Sequence, residues 1–157
     1  MEVNKALEKL KKYCAYQERC HQEVRSKLSS LEVYGESCEK IIYLLITDNY
    51  LNEERYACSY TSGKFRLKTW GKNKIKQKLK SQNISDYCIN KALDELDEQD
   101  YYQKLFQLIE KKIEKHLDLP EIIRKDKAIN YAVNKGFESS LVFDIIKELE
   151  TNSNILS

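Results

Sequence analysis

Proline occurs once in these 157 residues and glycine four times. A chain with so few turn-forming residues has little means of making the tight hairpins of a β-protein, and long helices joined by short turns are expected instead. Histidine is nearly as scarce: His21 and His116 stand apart, neither at a metal-ligand spacing from a Cys, Asp or Glu, so no zinc site and no cofactor is expected. The five cysteines, Cys14, Cys20, Cys38, Cys58 and Cys88, are odd in number, lack a CxxC spacing and mostly sit where a helix would bury them, which reads as reduced core thiols. No apolar run reaches the length of a membrane span. The opening "MEVNKALEKLKKYC" enters helical periodicity at once, without an apolar signal core, so a cytoplasmic protein is expected. The chain is long enough for one domain, or for a few modules too small to bury separate cores.

What is present is a concealed repeat. Leu28, Leu79 and Ala132, spaced by 51 and 53 residues, can be aligned as anchors. Four residues before them stand Val24, Ile75 and Ala128; five after stand Val33, Ile84 and Phe137. Further on come Cys38, Ile89 and Val142, then Ile42, Leu93 and Ile146, then Leu45, Leu96 and Leu149. The steps on either side of the anchor are helical faces separated by a break, so each copy ends in a helical hairpin. Asn83 and Gly136 share the position just before the residue that follows the break, and both tolerate the left-handed conformation that closes a helix. Copy one has Glu32 there and Gly35 later, which predicts a longer turn. Ser85 and Ser139 are candidate caps for the next helix. Upstream, room remains for helices near 4–19, 52–65 and 100–116, with Asn52 capping the second and Pro120 in the first turn of the helix after "HLDL". The expected fold is all-α: three tandem three-helix repeats, residues 1–50, 51–98 and 99–150, stacked into an elongated, curved body with a frayed tail over 151–157.

Charge is segregated along the chain, although the net charge is only +2. Lys64, Arg66, Lys68, Lys72, Lys74, Lys76, Lys78 and Lys80 place eight cations in seventeen residues with no acid among them. On a helix beginning near Lys72, Ile75 and Leu79 face inward; Lys72, Lys76 and Lys80 form one row, and Lys74 and Lys78 another. Either this is a solvated face, or it is an electrostatic footprint for phosphates or for an acidic protein groove. Tyr60, Phe65 and Trp70 interleave the stretch; they could stack on bases but read as core, Trp70 with Gly71 as packing at a helix junction. "DELDEQD", Asp94 to Asp100, reads as a solvated helix start rather than a carboxylate site. With no nucleophile and base pair, phosphate loop or acidic metal cluster, no enzyme is expected.

"DNYLNEERYA", Asp48 to Ala57, resembles the "G-Y-L-[DN]-D-x-R-[FY]-A" stretch of the RecX family of RecA modulators. "WGKNKIKQKLKSQNI" is similar to that family's "G-xxx-I-xxx-L-xxx-G-I", "EVRSKL" to its "E-L-R-x-K-L", and "NYAVNKGF" to its "L-xx-R-G-F" region. Asn49 and Asn83 stand where the family has glycine; asparagine adopts the same turn conformations. The resemblance implies three three-helix repeats and a non-enzymatic role, in which the protein binds in the groove of the RecA filament on single-stranded DNA, lowers ATP hydrolysis and strand exchange, and promotes disassembly. It makes Arg55 a candidate contact beside the eight cations of the basic stretch; an ion pair with Glu53 or Glu54 is the alternative for that side chain. Expected partners are therefore the RecA filament and, weakly and without sequence preference, DNA, with a monomer as the expected state. A general helix-turn-helix-like DNA-binding protein is the competing reading, against which the near-neutral net charge speaks.

Overall fold

The computed structural model describes residues 2–152; most of the tail expected to fray, from 153 on, lies outside the described residues. Among the described residues there are nine α-helices and no strand: α1 (Val3–Tyr16), α2 (His21–Ser30), α3 (Gly35–Thr47), α4 (Glu53–Lys68), α5 (Lys72–Ser81), α6 (Asp86–Asp94), α7 (Glu98–Lys115), α8 (Glu121–Asn134) and α9 (Ser139–Thr151). No helix among them is long and apolar enough to cross a membrane.

The aligned apolar positions are core positions. Val24, Leu28, Ile75, Leu79, Ile89, Ala128, Ala132 and Val142 are fully buried, and Val33, Ile84, Phe137, Cys38, Ile42, Leu93 and Ile146 nearly so. In the last set Leu45 and Leu149 are buried, but Leu96 is only half-buried. The reason is local: α6 stops at Asp94, because Asp97 already caps α7 by accepting the Asp100 N–H at 2.9 Å, and acids at the start of α7 face the positive end of its dipole. Leu96 is left in the turn between them.

The three hairpin turns share one construction. Each has four residues, 31–34, 82–85 and 135–138. The residue after the break donates back to the anchor carbonyl: Val33 to Leu28 at 2.9 Å, Ile84 to Leu79 at 3.1 Å and Phe137 to Ala132 at 3.2 Å. The preceding residue, with positive φ, makes the inner bond: Glu32 to Ser29 at 3.0 Å, Asn83 to Lys80 at 3.0 Å and Gly136 to Val133 at 2.9 Å. This is the Schellman closure, with an apolar residue folded back over the helix end. The expectation of a longer first turn is therefore wrong: Glu32 itself takes φ 61°, beside 62° at Asn83. Ser85 Oγ accepts the Cys88 N–H at 3.3 Å, as expected of a cap, and Asn52 Oδ1 accepts that of Arg55 at 2.8 Å. Ser139 does not cap α9; Glu138 holds that position. Pro120 is the N-cap of α8, one residue before the first turn.

The chain divides into two compact units, Met1–Tyr60 with Leu79–Ala92, and Thr61–Lys78 with Leu93–Ser157, so that α4 and α5 each contribute to both. In the first unit α1, α2 and α3 pack pairwise around Ala6, Leu10, Val24, Leu28, Ile41, Leu45 and Leu51. Tyr56 donates to Gln82 Oε1 at 3.0 Å, and burial raises its phenol above the ordinary range. All five cysteines belong to this unit as free thiols. Burial pushes Cys14 up to about 11, the direction that keeps a thiol protonated and inert.

In the second unit α7, α8 and α9 pack pairwise, and an aromatic line runs through the core: Phe65 to Tyr101 with ring centroids 5.6 Å apart, then Tyr101 to Phe137 at 5.2 Å. The start of α5 docks here backbone to backbone. Gly71 N–H donates to Lys135 O at 2.8 Å, Lys72 N–H to the Tyr101 hydroxyl at 3.0 Å and Asn73 N–H to Gly136 O at 2.9 Å. A Cβ on Gly71 would stand 2.3 Å from the Gly136 carbonyl carbon, and one on Gly136 would stand 2.3 Å from the Lys74 Cβ. The junction expected at Trp70 and Gly71 is this contact.

Candidate functional site

Helix α5 carries five lysines in ten residues and no acid in its first turn. Ile75 and Leu79 face inward and are fully buried, while Lys76, Lys78 and Lys80 are exposed and Lys72 and Lys74 half-buried. Cations at a helix N-terminus oppose its dipole, and the pairs Lys72 with Lys76, Lys76 with Lys80 and Lys74 with Lys78 repel at the i, i+4 spacing, together costing roughly 1–3 kcal/mol. The helix persists because its first N–H groups are taken by Lys135 O, the Tyr101 hydroxyl and Gly136 O. Tyr101 is held in turn: its hydroxyl donates to Glu138, and burial, then that carboxylate, raise its phenol well above the ordinary range.

Several cations rest on aromatic rings of the second unit. Lys64 Nζ and Lys74 Nζ lie 4.9 and 4.6 Å from the Trp70 ring centre, and Lys72 Nζ lies 4.8 Å from that of Tyr101. Trp70, half-buried, is thus a lysine platform as well as a junction residue. Thr69, with φ 54°, turns the chain so that the Trp70 N–H reaches Lys64 O at 3.2 Å. A β-branched residue in that conformation costs about 1–2 kcal/mol. Arg66 and Lys68 are exposed at the C-terminal end of α4, where cations suit the dipole.

Two lysines outside the basic run join this end. Lys104 Nζ donates to Arg66 O at 3.0 Å and Lys135 Nζ to Lys68 O at 2.7 Å, satisfying carbonyls that the helix end leaves open. They come from α7 and from the turn after α8, dozens of residues away, and a search for runs of like charge does not find them.

The remaining two sequence candidates belong to the first unit. Lys80 Nζ is 3.9 Å from Asp86, at the surface. Arg55 pairs with neither Glu53 nor Glu54. Its Nε donates to both Glu18 oxygens, at 2.6 and 2.7 Å, and its Nη atoms to Asn49 Oδ1 at 3.1 Å and Asn49 O at 3.0 Å. Glu53 instead accepts the Ser85 N–H, and Glu54 pairs with Lys91 at 2.6 Å. Arg55 thus ties the α1–α2 connection to the turn before α4, where Asn49 has φ 65°. Among the described residues no group of three His, Cys, Asp or Glu side chains could hold a metal ion.

The chain is similar in sequence and fold to known proteins. The family description "RecX, second three-helix domain" matches residues 52–93, and "RecX, third three-helix domain" matches residues 98–146. The Regulatory protein RecX of Streptococcus uberis is 31% identical over 144 residues, covering 91% of this chain and 53% of the relative. That of Bacillus cytotoxicus is 28% identical over 149 residues, covering 95% and 55%. The chain thus spans about half the length of the curated relatives it matches. A crystal structure of RecX from Lactobacillus salivarius superposes with a TM-score of 0.86 at 27% identity, covering 95% of this chain and 97% of that one. Another, of regulatory protein RecX, gives 0.83 at 26% identity, over 93% and 71%. With two of the family's three-helix domains accounting together for more than half of the residues, and solved members sharing the all-helical fold, the chain belongs to the RecX family.

Proposed function

We propose that the chain binds the RecA filament formed on single-stranded DNA and restrains its ATP hydrolysis and strand exchange, a regulatory rather than a catalytic role carried out in the cytoplasm. The observation that carries this reading is α5. Its charges disfavour it as an isolated helix, while the Gly71 and Gly136 contact and the Tyr101 hydroxyl hold its start in place. A sequence serving only to solvate this surface would mix signs and avoid the cost. Lysines kept against that cost offer a non-specific electrostatic footprint. The relatives' name, regulatory protein, supports the same class of role.

The test is a titration of the chain against RecA filaments and against matched naked DNA. The Lys72→Gln, Lys76→Gln, Lys78→Gln triple variant keeps Ile75, Leu79 and every backbone donor of α5, so its helical content should match the parent. Suppression of RecA ATP hydrolysis should weaken on the order of tenfold, which corresponds to about 1.4 kcal/mol of lost interaction. A folded triple variant that suppresses as strongly as the parent would return these lysines to a solvated face. Equally tight binding of the parent to bare duplex, with no preference for the filament, would favour the helix-turn-helix-like reading.

A further inference from the structure

The pattern at Trp70 recurs on the same unit. Tyr131 of α8 is 38% exposed, and two ammonium groups attend its ring, Lys112 Nζ at 4.4 Å and Lys135 Nζ at 6.0 Å from the centre. Lys135 also reaches Lys68 O at 2.7 Å, at the end of α4 that presents Arg66 and Lys68 to solvent. Gly71, the residue after Trp70, donates to Lys135 O at 2.8 Å. The two lysine-bearing rings are therefore joined through Lys135 and the end of α4. We infer that the binding surface extends beyond the basic run onto α7 and α8, where Lys112, Lys135 and Tyr131 form a second contact point for a single-stranded nucleic acid. This rests on the reading that the chain works at a filament on single-stranded DNA, and it assigns these cations to the strand rather than to the protein that coats it.

The chemistry favours that assignment. An ammonium group lying on a ring keeps N–H donors for phosphate oxygens, Lys135 retaining two of its three beside the one given to Lys68 O, and the ring limits the rotamer freedom that a lysine otherwise loses on binding. The exposed Tyr131 adds a π-face for an unpaired base. In a duplex the base faces are covered by their neighbours, so an aromatic face gains nothing there. Two such rings with phosphate-seeking cations between them are the elements of sequence-tolerant single-strand binding.

The experiment follows the 157-residue chain binding a fluorescein-labelled oligothymidylate by anisotropy, across a salt series and without RecA. The Lys112→Gln, Lys135→Gln variant should bind about tenfold more weakly near 0.1 M salt, and the slope of log K against log salt should shrink by roughly 0.7 for each lysine. Tyr131→Phe should bind like the parent, whereas Tyr131→Leu should lose several-fold through stacking. Lys9→Gln, Lys12→Gln on α1 removes the same charge from an exposed part of the first unit and should change little. Helical circular dichroism and melting temperature establish that each variant is folded; if the double variant is not, Lys112→Gln alone carries the test. A folded double variant with parental affinity and slope overturns the inference. So does one that loses filament binding while keeping oligonucleotide binding, since these residues would then face protein. A parent that binds the oligonucleotide through these residues but leaves RecA ATP hydrolysis unaltered supports this inference and sinks the proposed function instead.

Discussion

Turn 31–34 and turn 135–138 close their helices with the same two backbone hydrogen bonds, yet one carries glutamate at the left-handed position and the other glycine. At Glu32 the backbone accepts a side chain in a conformation that costs an L-residue about 1–2 kcal/mol, and the turn still forms because Val33 folds onto the helix end and the bonds to Leu28 and Ser29 are made. At Gly136 the same bonds are made, but here a Cβ would collide with the Cβ of Lys74, and the carbonyl is spent on the Asn73 N–H. The glycine is thus required by what packs against the turn rather than by the turn. Asn83 falls with Glu32: left-handed, exposed, and tolerant of a side chain.

That contrast is broken most severely at its tight end. Gly136→Ala should destabilise the protein by roughly 2–4 kcal/mol, the sum of a left-handed alanine and an overpacked backbone contact, read as a fall in the urea midpoint at unchanged slope. A change under about 1 kcal/mol would mean that the α5 docking relaxes freely and that the glycine serves only the turn.

Tyr101→Phe sharpens the contrast at the same docking point. It removes a hydroxyl that accepts from Lys72 and donates to Glu138, at a cost of about 1–3 kcal/mol. Because the folded chain raises this phenol's affinity for its proton, the unfolded chain releases the proton first as pH climbs past about 10, and the stability attached to it is lost with rising pH. Urea midpoints near pH 8 and about 10.5 should therefore fall less in the variant than in the parent, with Cys14 and Tyr56 among the groups that contribute the alkaline loss that remains.

The smallest effect is expected at the tolerant end. Glu32→Gly should stabilise by up to about 1 kcal/mol, the relief of left-handed strain less the entropy that glycine restores to the unfolded chain. A loss of stability on this change would show that the Glu32 side chain does more than occupy the position.

The same residues mark what could be read in advance. The apolar register was legible because helical spacing puts each aligned residue on a buried face, and it fails only at Leu96, where capping by Asp97 ends α6 early. The first turn was misread because glutamate is not a residue associated with positive φ; the closure is specified by the apolar residue after it, which is a better signal. Ser139 has the right chemistry for a cap one residue too late. In the site, the lysines of α5 were visible as a run, whereas Lys104, Lys112 and Tyr131 sit in helices of mixed charge, Lys135 just past the end of one, and they are brought together only by packing. Arg55 shows the same limit, with its carboxylate partner 37 positions away while the adjacent acids are engaged elsewhere.

The distribution of chromophores and thiols has a practical result. The single tryptophan, Trp70, lies in the second unit, and all five cysteines lie in the first. Tryptophan emission therefore reports the opening of one unit, and the rate at which buried thiols become reactive toward a soluble disulfide reports the opening of the other, in the unaltered protein. Recorded together during denaturant unfolding, coincident signals would describe a single cooperative body, and separated ones would measure how much of the stability each unit holds alone.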